Sequence, residues 1–564
     1  MTLTSRSLVS ALVLAGAAGT AAFVEHRAEA GGLYISQRGV RALGRGGAFV
    51  AGADDLNAIT YNPANIYDAG SQFLFDASWV NFNSSYTREA LLRQIDPNTG
   101  DTVATYEQTF ETVNGSSAFL PIPTIVGSFS PHPDWMLAFG AYVPYAAIPT
   151  YPDKTDKGEP APQRYSLLTL DGSVLAVLGG WVAWAPIKQL RVGLGVEFLV
   201  GSFAATQVMS GCIPERFFCS PEDPSWDVLA QINAAPIITP SGNLGITWEF
   251  VKNWRLGGSF HLPFWINAPA TIKTRLPTAP VFDKASQEGE DANVSFALPF
   301  NARLGLESRD LTKGLRMELA GSYEHWEMHD TITVSPDDVS LQNLPGFPKD
   351  YFIPDVTIPR GAQNAIAVMF GAEYSIKASE KVDVTPRLGV NYETSAIPPE
   401  FLSVLTIDSN KVTPTVGVSV RIGQLRLDAV YAHTFAETVE VPAKDARVVQ
   451  TVPLNATPPK NPDYINGGTY SWDANVVGLG MTWTFGHPKP AEPVADKPKD
   501  DGRPTTDEPQ LDKKKGDDPS APKDEPAPPT PPEKKPDEKK SDQKKPDEKA
   551  PPAKTPPAKT PPKK

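Results

Sequence analysis

The stretch "SQFLFDASW", residues 71 to 79, sets Phe73, Phe75, Ala77 and Trp79 on one face of an extended chain and Gln72, Asp76 and Ser78 on the other. Side chains alternate sides along a strand, so this is a two-faced strand. The same period returns in "LRVGLGVEF", where Val192, Leu194, Val196 and Phe198 oppose Arg191, Gly193, Gly195 and Glu197. It returns again in "LRMELAGSY" (315–323) and "LRLDAVY" (425–431), each time with arginine and carboxylates on the polar face. One face is greasy throughout, the other charged or small.

A soluble sandwich would also alternate, with its apolar faces turned toward one another. The connections decide against it. Between Ser71 and Phe485 the alternation yields fourteen strands, and every second link is short: "PHPD", "PIKQ", "VKN", "RDLTKG", "KASE" and "IGQ". All the short links fall on one side and all the long ones on the other. An even number of strands with short turns at one end and long loops at the other is the pattern of an outer-membrane barrel, whose closure leaves no unpaired backbone in lipid. The expected fold is therefore all-β: a 14-stranded antiparallel transmembrane β-barrel over residues 71–485. Trp79, Trp135, Trp181, Trp248, Trp326, Trp472 and Trp483 lie near strand ends and suit aromatic girdles at the two interfaces.

The flanks have other compositions. Arg6, the apolar stretch from Leu8 to Val24 and the small-x-small ending Ala28-Glu29-Ala30 read as a signal peptide over residues 1–30. Beyond Val24 no apolar run is long enough for a membrane helix, and the mean hydropathy of -0.27 fits that. After Phe485 the chain loses every aromatic residue, and residues 486–564 hold 21 of the 57 prolines in repeats such as "KKPDEKKSDQKKPDEKA". Such a segment cannot bury enough surface to fold, so a disordered Pro/Lys/Asp/Glu-rich tail in the periplasm is expected. That tail has 19 Lys plus Arg against 17 Asp plus Glu, a net +2, so of the overall -13 the rest of the chain carries -15, which argues against a nucleic-acid partner.

Residues 31–70 remain. "GRGGAFVAGADDLNAITYNPANI" (44–66) combines glycines, the acidic pair Asp54 and Asp55, and the turn Asn62-Pro63-Ala64, with too little apolar surface for a core of its own. With both barrel ends on the periplasmic side, this segment fits inside the polar lumen as a plug, against Arg191, Arg303, Arg316, Arg387 and Arg426, which the alternation directs inward. At this point the chain resembles the FadL family, outer-membrane transporters of long-chain fatty acids and aromatic hydrocarbons. The resemblance covers roughly residues 31–485 and rests chiefly on residues 44–64, similar to the family's N-terminal hatch, and on "NGGTYSWDANVVGLGMTWTF", similar to its last loop and strand.

The resemblance implies passive transport of a hydrophobic compound: capture by the outer loops, rearrangement of the hatch (Asp54, Asp55, Asn62, Pro63, Ala64), and lateral exit through a kinked third strand. In "DWMLAFGAYVPY" the kink matches Gly140, with Pro144 close by, because glycine tolerates distortion and proline removes a ladder donor. The loop from 204 to 240 offers Phe217, Phe218 and Trp226 as an apolar foothold, and the next long loop Phe282. Cys212 and Cys219 in an exported chain read as one local disulfide. Arg303 and Arg316 could receive an acidic head group, although pairing with carboxylates of the wall or plug is the more economical role.

No nucleophile elbow, phosphate loop or zinc spacing appears. The pair His325 and His329 around Glu327 in "HWEMH" falls at a strand end beside Trp326, where a girdle position is expected instead of a metal site. The reading is thus a non-enzyme with no cofactor and no metal. Its partners are a fatty acid or related hydrophobic small molecule, outer-membrane lipid, the barrel-assembly machinery that reads a terminal strand, and peptidoglycan through the tail. The alternative is a structural or adhesive barrel whose tail contacts the cell wall. The loops that would choose between acids, alkanes and aromatics leave no cargo-specific motif.

Overall fold

The computed structural model describes residues 37–96, 99, 101–117, 121–145, 149–213, 217, 219–220, 222–454 and 462–485. The expected signal peptide, the tail and Phe218 lie outside the described residues.

Fourteen antiparallel strands close on themselves. In chain order they are β1 (Gln72–Ile95), β2 (Pro121–His132), β3 (Trp135–Tyr145), β4 (Val174–Ile187), β5 (Leu190–Ser210), β6 (Asp227–Val251) and β7 (Trp254–His261, continued by Phe264–Arg275). The circle continues with β8 (Asp291–Leu298 and Asn301–Arg309), β9 (Leu315–Glu324), β10 (Ala365–Tyr374), β11 (Val382–Glu393), β12 (Lys411–Ile422), β13 (Leu425–Ala436) and β14 (Gly468–Thr484). Each strand pairs with its sequence neighbours, and the ladder from Gln72 opposite Thr484 to Arg88 opposite Gly468 joins β1 to β14. Closure satisfies the backbone that an open sheet would leave bare in lipid.

The alternation read from the sequence is the inside–outside partition of the wall. Phe75, Val192, Leu194, Leu319, Leu427 and Met481 are exposed on the outer surface, while Asp76, Arg191, Glu318, Arg426 and Asp428 are buried in the lumen. Trp135, Trp248 and Trp483 are exposed close to the short-turn end, and Trp135 stacks on Trp184 at 5.6 Å. Two girdle assignments are corrected. Trp181 is 2% exposed and faces the lumen, because it lies three residues from the outward Trp184 and an odd step changes face. Trp326 is buried in a single 3-10 turn (Trp326–Met328), where its Nε1 donates to Glu324 at 2.8 Å.

Several strands run longer than expected. β1 continues to Ile95 and pairs there with Thr102–Thr109. The stretch 204–240 is likewise not all loop: β5 runs to Ser210 and β6 begins at Asp227, so the two form a long paired ribbon. Pro236 and Pro240 conceal this in the sequence, since proline reads as a strand breaker unless the side lacking the N–H faces no partner.

Candidate functional site

The site begins with the plug. From Gln37 to Gly70 the chain folds inside the lower lumen as three one-turn helices, α1 (Val40–Leu43), α2 (Ala58–Tyr61) and α3 (Ile66–Ala69), with a 3-10 turn at Pro63–Asn65. Asn62 starts that turn: its side-chain oxygen accepts from the Ala64 amide at 3.1 Å, and Pro63 occupies the position where a missing N–H does no harm. The Asn62 amide nitrogen bonds to the Val50 carbonyl at 2.9 Å, and to the Ile246 carbonyl at 3.0 Å and the Thr247 hydroxyl at 2.9 Å on β6. This residue therefore ties the plug to itself and to the wall.

Wall and plug are joined mainly by charge. Glu318 on β9 accepts three successive backbone amides, Val50 at 2.6 Å, Ala51 at 2.8 Å and Gly52 at 3.0 Å, and also meets Arg45 at 3.2 Å. Arg316 reaches Asp54 at 2.7 Å, the Gly52 carbonyl at 2.7 Å, Glu307 at 2.6 Å and Glu373 at 2.9 Å. Arg41 from the plug bonds to Asp54 and to Glu373 at 2.9 Å. Asp55 takes Arg426 at 2.7 Å, and Asp68 bridges Arg191 at 2.9 Å and Arg255 at 2.6 Å. Burial raises the affinity of Asp54 for a proton, but Arg316 and Arg41 outweigh it and hold the carboxyl well below the ordinary range. For Asp68 the opposing effect of burial is likewise overcome by Arg255 and Arg191.

Glycines on the wall let the two backbones touch. A side chain at Gly193 would strike Pro63–Ala64, at Gly257 Val50–Ala51, at Gly371 Arg45, and at Gly389 Arg45–Gly46. The sequence showed these only as small residues on the polar face.

Above the plug the lumen turns apolar. One continuous buried cluster contains Phe49, Leu56 and Ile59 of the plug, then Trp181, Leu199, Ile237, Phe264 and Ile266 of the wall, then Trp226, Phe282 and Leu341 of the outer loops. Phe217 packs at a tilt against Trp226 at 5.2 Å and Phe347 at 6.3 Å, and Trp226 meets Phe282 edge-on at 5.7 Å. Three of the four loop aromatics expected to give a foothold thus meet in one cluster. The Cys212–Cys219 bond is formed within it.

Two expected head-group cations are already engaged. Arg316 is enclosed by Asp54, Glu307 and Glu373, and Arg303 donates to the Thr60 carbonyl and lies 5.3 Å over the Tyr61 ring. A residue that sequence reasoning missed behaves differently. Arg360, 4% exposed, donates from Nη2 to Thr406 and from its backbone to Asp330, its Nε finds no acceptor, and among the described residues no carboxylate comes within ion-pair distance. Burial lowers this guanidinium to about 10. Beside it, burial and the Arg360 charge push His329 down to about 3, so its imidazole is neutral, with Nδ1 against the Ala297 carbonyl at 2.8 Å.

Gly140 marks no break in β3: its pairings with Val126 on β2 and Gly179 on β4 belong to continuous ladders. The irregularity lies further on, where the register with β4 shifts between Tyr142 and Tyr145 across Pro144. The reason is local: proline cannot donate, whereas glycine keeps its N–H.

Residues 21–485 match the family model for outer membrane protein transport proteins (OMPP1/FadL/TodX). The chain belongs to this family. The FadL-family barrel is similar to that of a Pseudomonas aeruginosa FadL homologue, with a TM-score of 0.60 at 15% identity over 81% of this chain and 100% of that one. It is also similar to the P. putida toluene transporter TodX, with a TM-score of 0.53 at 14% identity over 80% and 100% of the two chains. At such identities these likenesses establish the fold. No curated protein sequence matches the chain. Family and closed barrel together support an outer-membrane location.

Proposed function

We propose that this FadL-family barrel carries hydrophobic molecules passively across the outer membrane, with long-chain fatty acids as the favoured class. The supporting observation is the unbroken apolar column from Phe217, Trp226 and Phe282 in the outer loops to Ile59 and Phe49 in the plug. An apolar solute meets a hydrated outer surface first, and the loop aromatics offer it a place to leave water. Descent brings it against the plug, whose Asp54, Asp55 and Asn62 contacts must loosen for passage. Release then follows sideways at the irregular upper end of β3 around Pro144.

Preference for an acid rests on Arg360. A buried cation without a counter-ion is unfavourable, and a carboxylate arriving beside Leu405 and Trp326 would complete it while its tail stayed in apolar surroundings. Uptake of a labelled fatty acid and a labelled aromatic hydrocarbon by cells carrying the protein tests the reading. Intact protein should take up both, and Asn62→Ala with Pro63→Ala should alter the rate. Equal accumulation with and without the protein would end the proposal.

A further inference from the structure

The wall is not equally laddered all round. On β6 and β7 the register runs from Trp254 opposite Val251 up to His261 opposite Asn243, and resumes at Ala270 opposite Ala234. The same offset holds on both sides of the interval, so nothing has slipped. Yet among the described residues 235–241 and 263–269 no backbone pairing joins the two strands; the last bond below is from the Leu262 amide to the Gly242 carbonyl at 2.9 Å.

Side-chain direction explains the gap. Buried Pro263 and Phe264 follow one another, so β7 changes face there; exposed Ala235 and Pro236 follow one another, so β6 changes face only higher up. Between the two flips the strands are out of phase: Ile238 is 68% exposed while Ile266 opposite it is buried, and Trp265 is 61% exposed while Thr239 opposite it is buried. Mismatched pleats cannot form a ladder. Part of the seam's polar backbone is accounted for all the same. Pro236, Pro240, Pro263 and Pro269 have no N–H to leave unpaired, and the Thr239 and Ser241 hydroxyls donate to the Trp265 and Leu262 carbonyls at 3.2 and 2.9 Å.

We propose that this seam between β6 and β7 is a lateral portal through which a slender apolar molecule dissolved in the outer leaflet enters the lumen, separate from the exit at β3. The inference rests on the reading of the barrel as a channel for hydrophobic compounds. Parting the wall elsewhere breaks a row of backbone hydrogen bonds, about 1 kcal/mol each; parting it here breaks side-chain contacts. The lower edge stands eight residues above Val251, about 20 Å up a tilted strand, near the outer margin of the apolar band. Ile237, Phe264 and Ile266 close the seam from within and belong to the apolar column. At its foot His261 contacts Glu197 at 2.6 Å, and Asn243 donates to Glu197 at 3.1 Å and to the Ile59 carbonyl of the plug at 2.6 Å. Movement of α2 therefore pulls directly on the last paired residues below the seam.

The test uses the full-length protein in lipid vesicles and an alkyl diazirine dissolved in the bilayer. Ile238→Cys with Trp265→Cys places two outward thiols across the seam, to be bridged by a bifunctional maleimide on the folded protein; Leu427→Cys with Met481→Cys, across a fully paired junction, is the control. Light should label Ile237, Phe264 and Trp181 in the unbridged protein, and bridging the seam should abolish that labelling while bridging the control leaves it intact. Labelling of the lumen that persists across a verified bridge, or labelling confined to the outer surface throughout, overturns the portal. Uptake from water is measured on the same preparations: its failure in the unbridged protein would condemn the channel reading, whereas its survival beside an unlabelled lumen would condemn the portal alone.

Discussion

Below Asn243 the lumen is filled by a folded plug held by ion pairs and by backbone touching backbone, whereas above it aromatic and branched side chains form a continuous cluster, with ion pairs such as Arg88–Glu222 and Lys411–Asp408 elsewhere in the outer half and Arg360 without a carboxylate among the described residues. The lower contacts are directional and collectively strong, and each buried carboxylate there has several donors. The contacts of the upper apolar cluster are non-directional and can be exchanged for contacts with a greasy solute at little net loss. The difference teaches a division of labour: ions and water are stopped by the region that cannot rearrange cheaply, and cargo is received by the region that can.

The sharpest way to break this comparison is Glu318→Ala, which strands three plug amides at once and takes from Arg45 its nearest carboxylate, leaving it Glu307 at 3.5 Å and Glu373 at 3.9 Å. Removing one side of such a buried arrangement costs about 3–5 kcal/mol, and planar-bilayer recordings should show ion-conducting steps that the intact protein lacks. A silent Glu318→Ala channel would mean that the plug is held by something other than charge.

Trp226→Ala probes the upper region instead. Deleting a buried aromatic costs about 3–5 kcal/mol within the loop cluster, so binding of a hydrophobic ligand followed by fluorescence should weaken strongly while ion conductance stays at its closed level. If conductance rises as well, the two regions are not independent.

Arg360→Gln sharpens the contrast within the upper region. Affinity for a twelve-carbon acid should drop about tenfold, equivalent to 1.4 kcal/mol, while affinity for the matching alcohol is unchanged. Equal losses for acid and alcohol would reduce Arg360 to a packing residue.

The smallest effect expected is that of pH on the plug. Asp54 faces Arg41 and Arg316, with Glu373 and Arg309 further off, and its proton affinity is depressed in the folded protein. A depressed group contributes stability that is complete above its unfolded value, about 3.9, and is lost as pH falls through its folded value. The share of plug retention that Asp54 supplies should therefore be flat from pH 7 to about 4 and be lost only below that, so the conductance difference between the intact protein and Asp54→Asn should hold over that range. Loss of that difference near pH 6 would place control in another group.

Much of this is legible in the sequence. Period-two alternation needs nothing but backbone geometry, and it placed Arg191, Arg303, Arg316, Arg387 and Arg426 inside the wall, where four are buried and Arg316 is half-buried against the plug. The asymmetry of the links then fixed fourteen strands. Other features were hidden because they depend on what lies opposite. Gly193 and Gly389 announce only smallness, and their importance appears once the plug backbone lies against them. Trp181 and Trp184 look alike in sequence and point to opposite sides. Arg360 sits in "PDVTIPRGAQN", which has no periodicity to reveal that its charge is buried. The prolines of β6 and β7 were visible, but a run of them reads as loop until both neighbouring strands are known.

The central claim is that the plug must move for a hydrophobic molecule to pass, and a tether tests it most directly. Asp55→Cys with Arg426→Cys replaces an ion pair of 2.7 Å by two thiols that can be joined, fixing plug to wall. The account predicts that the joined protein stops taking up labelled fatty acid while the same double variant left unjoined still transports; uptake by the joined protein at the unjoined rate would contradict it.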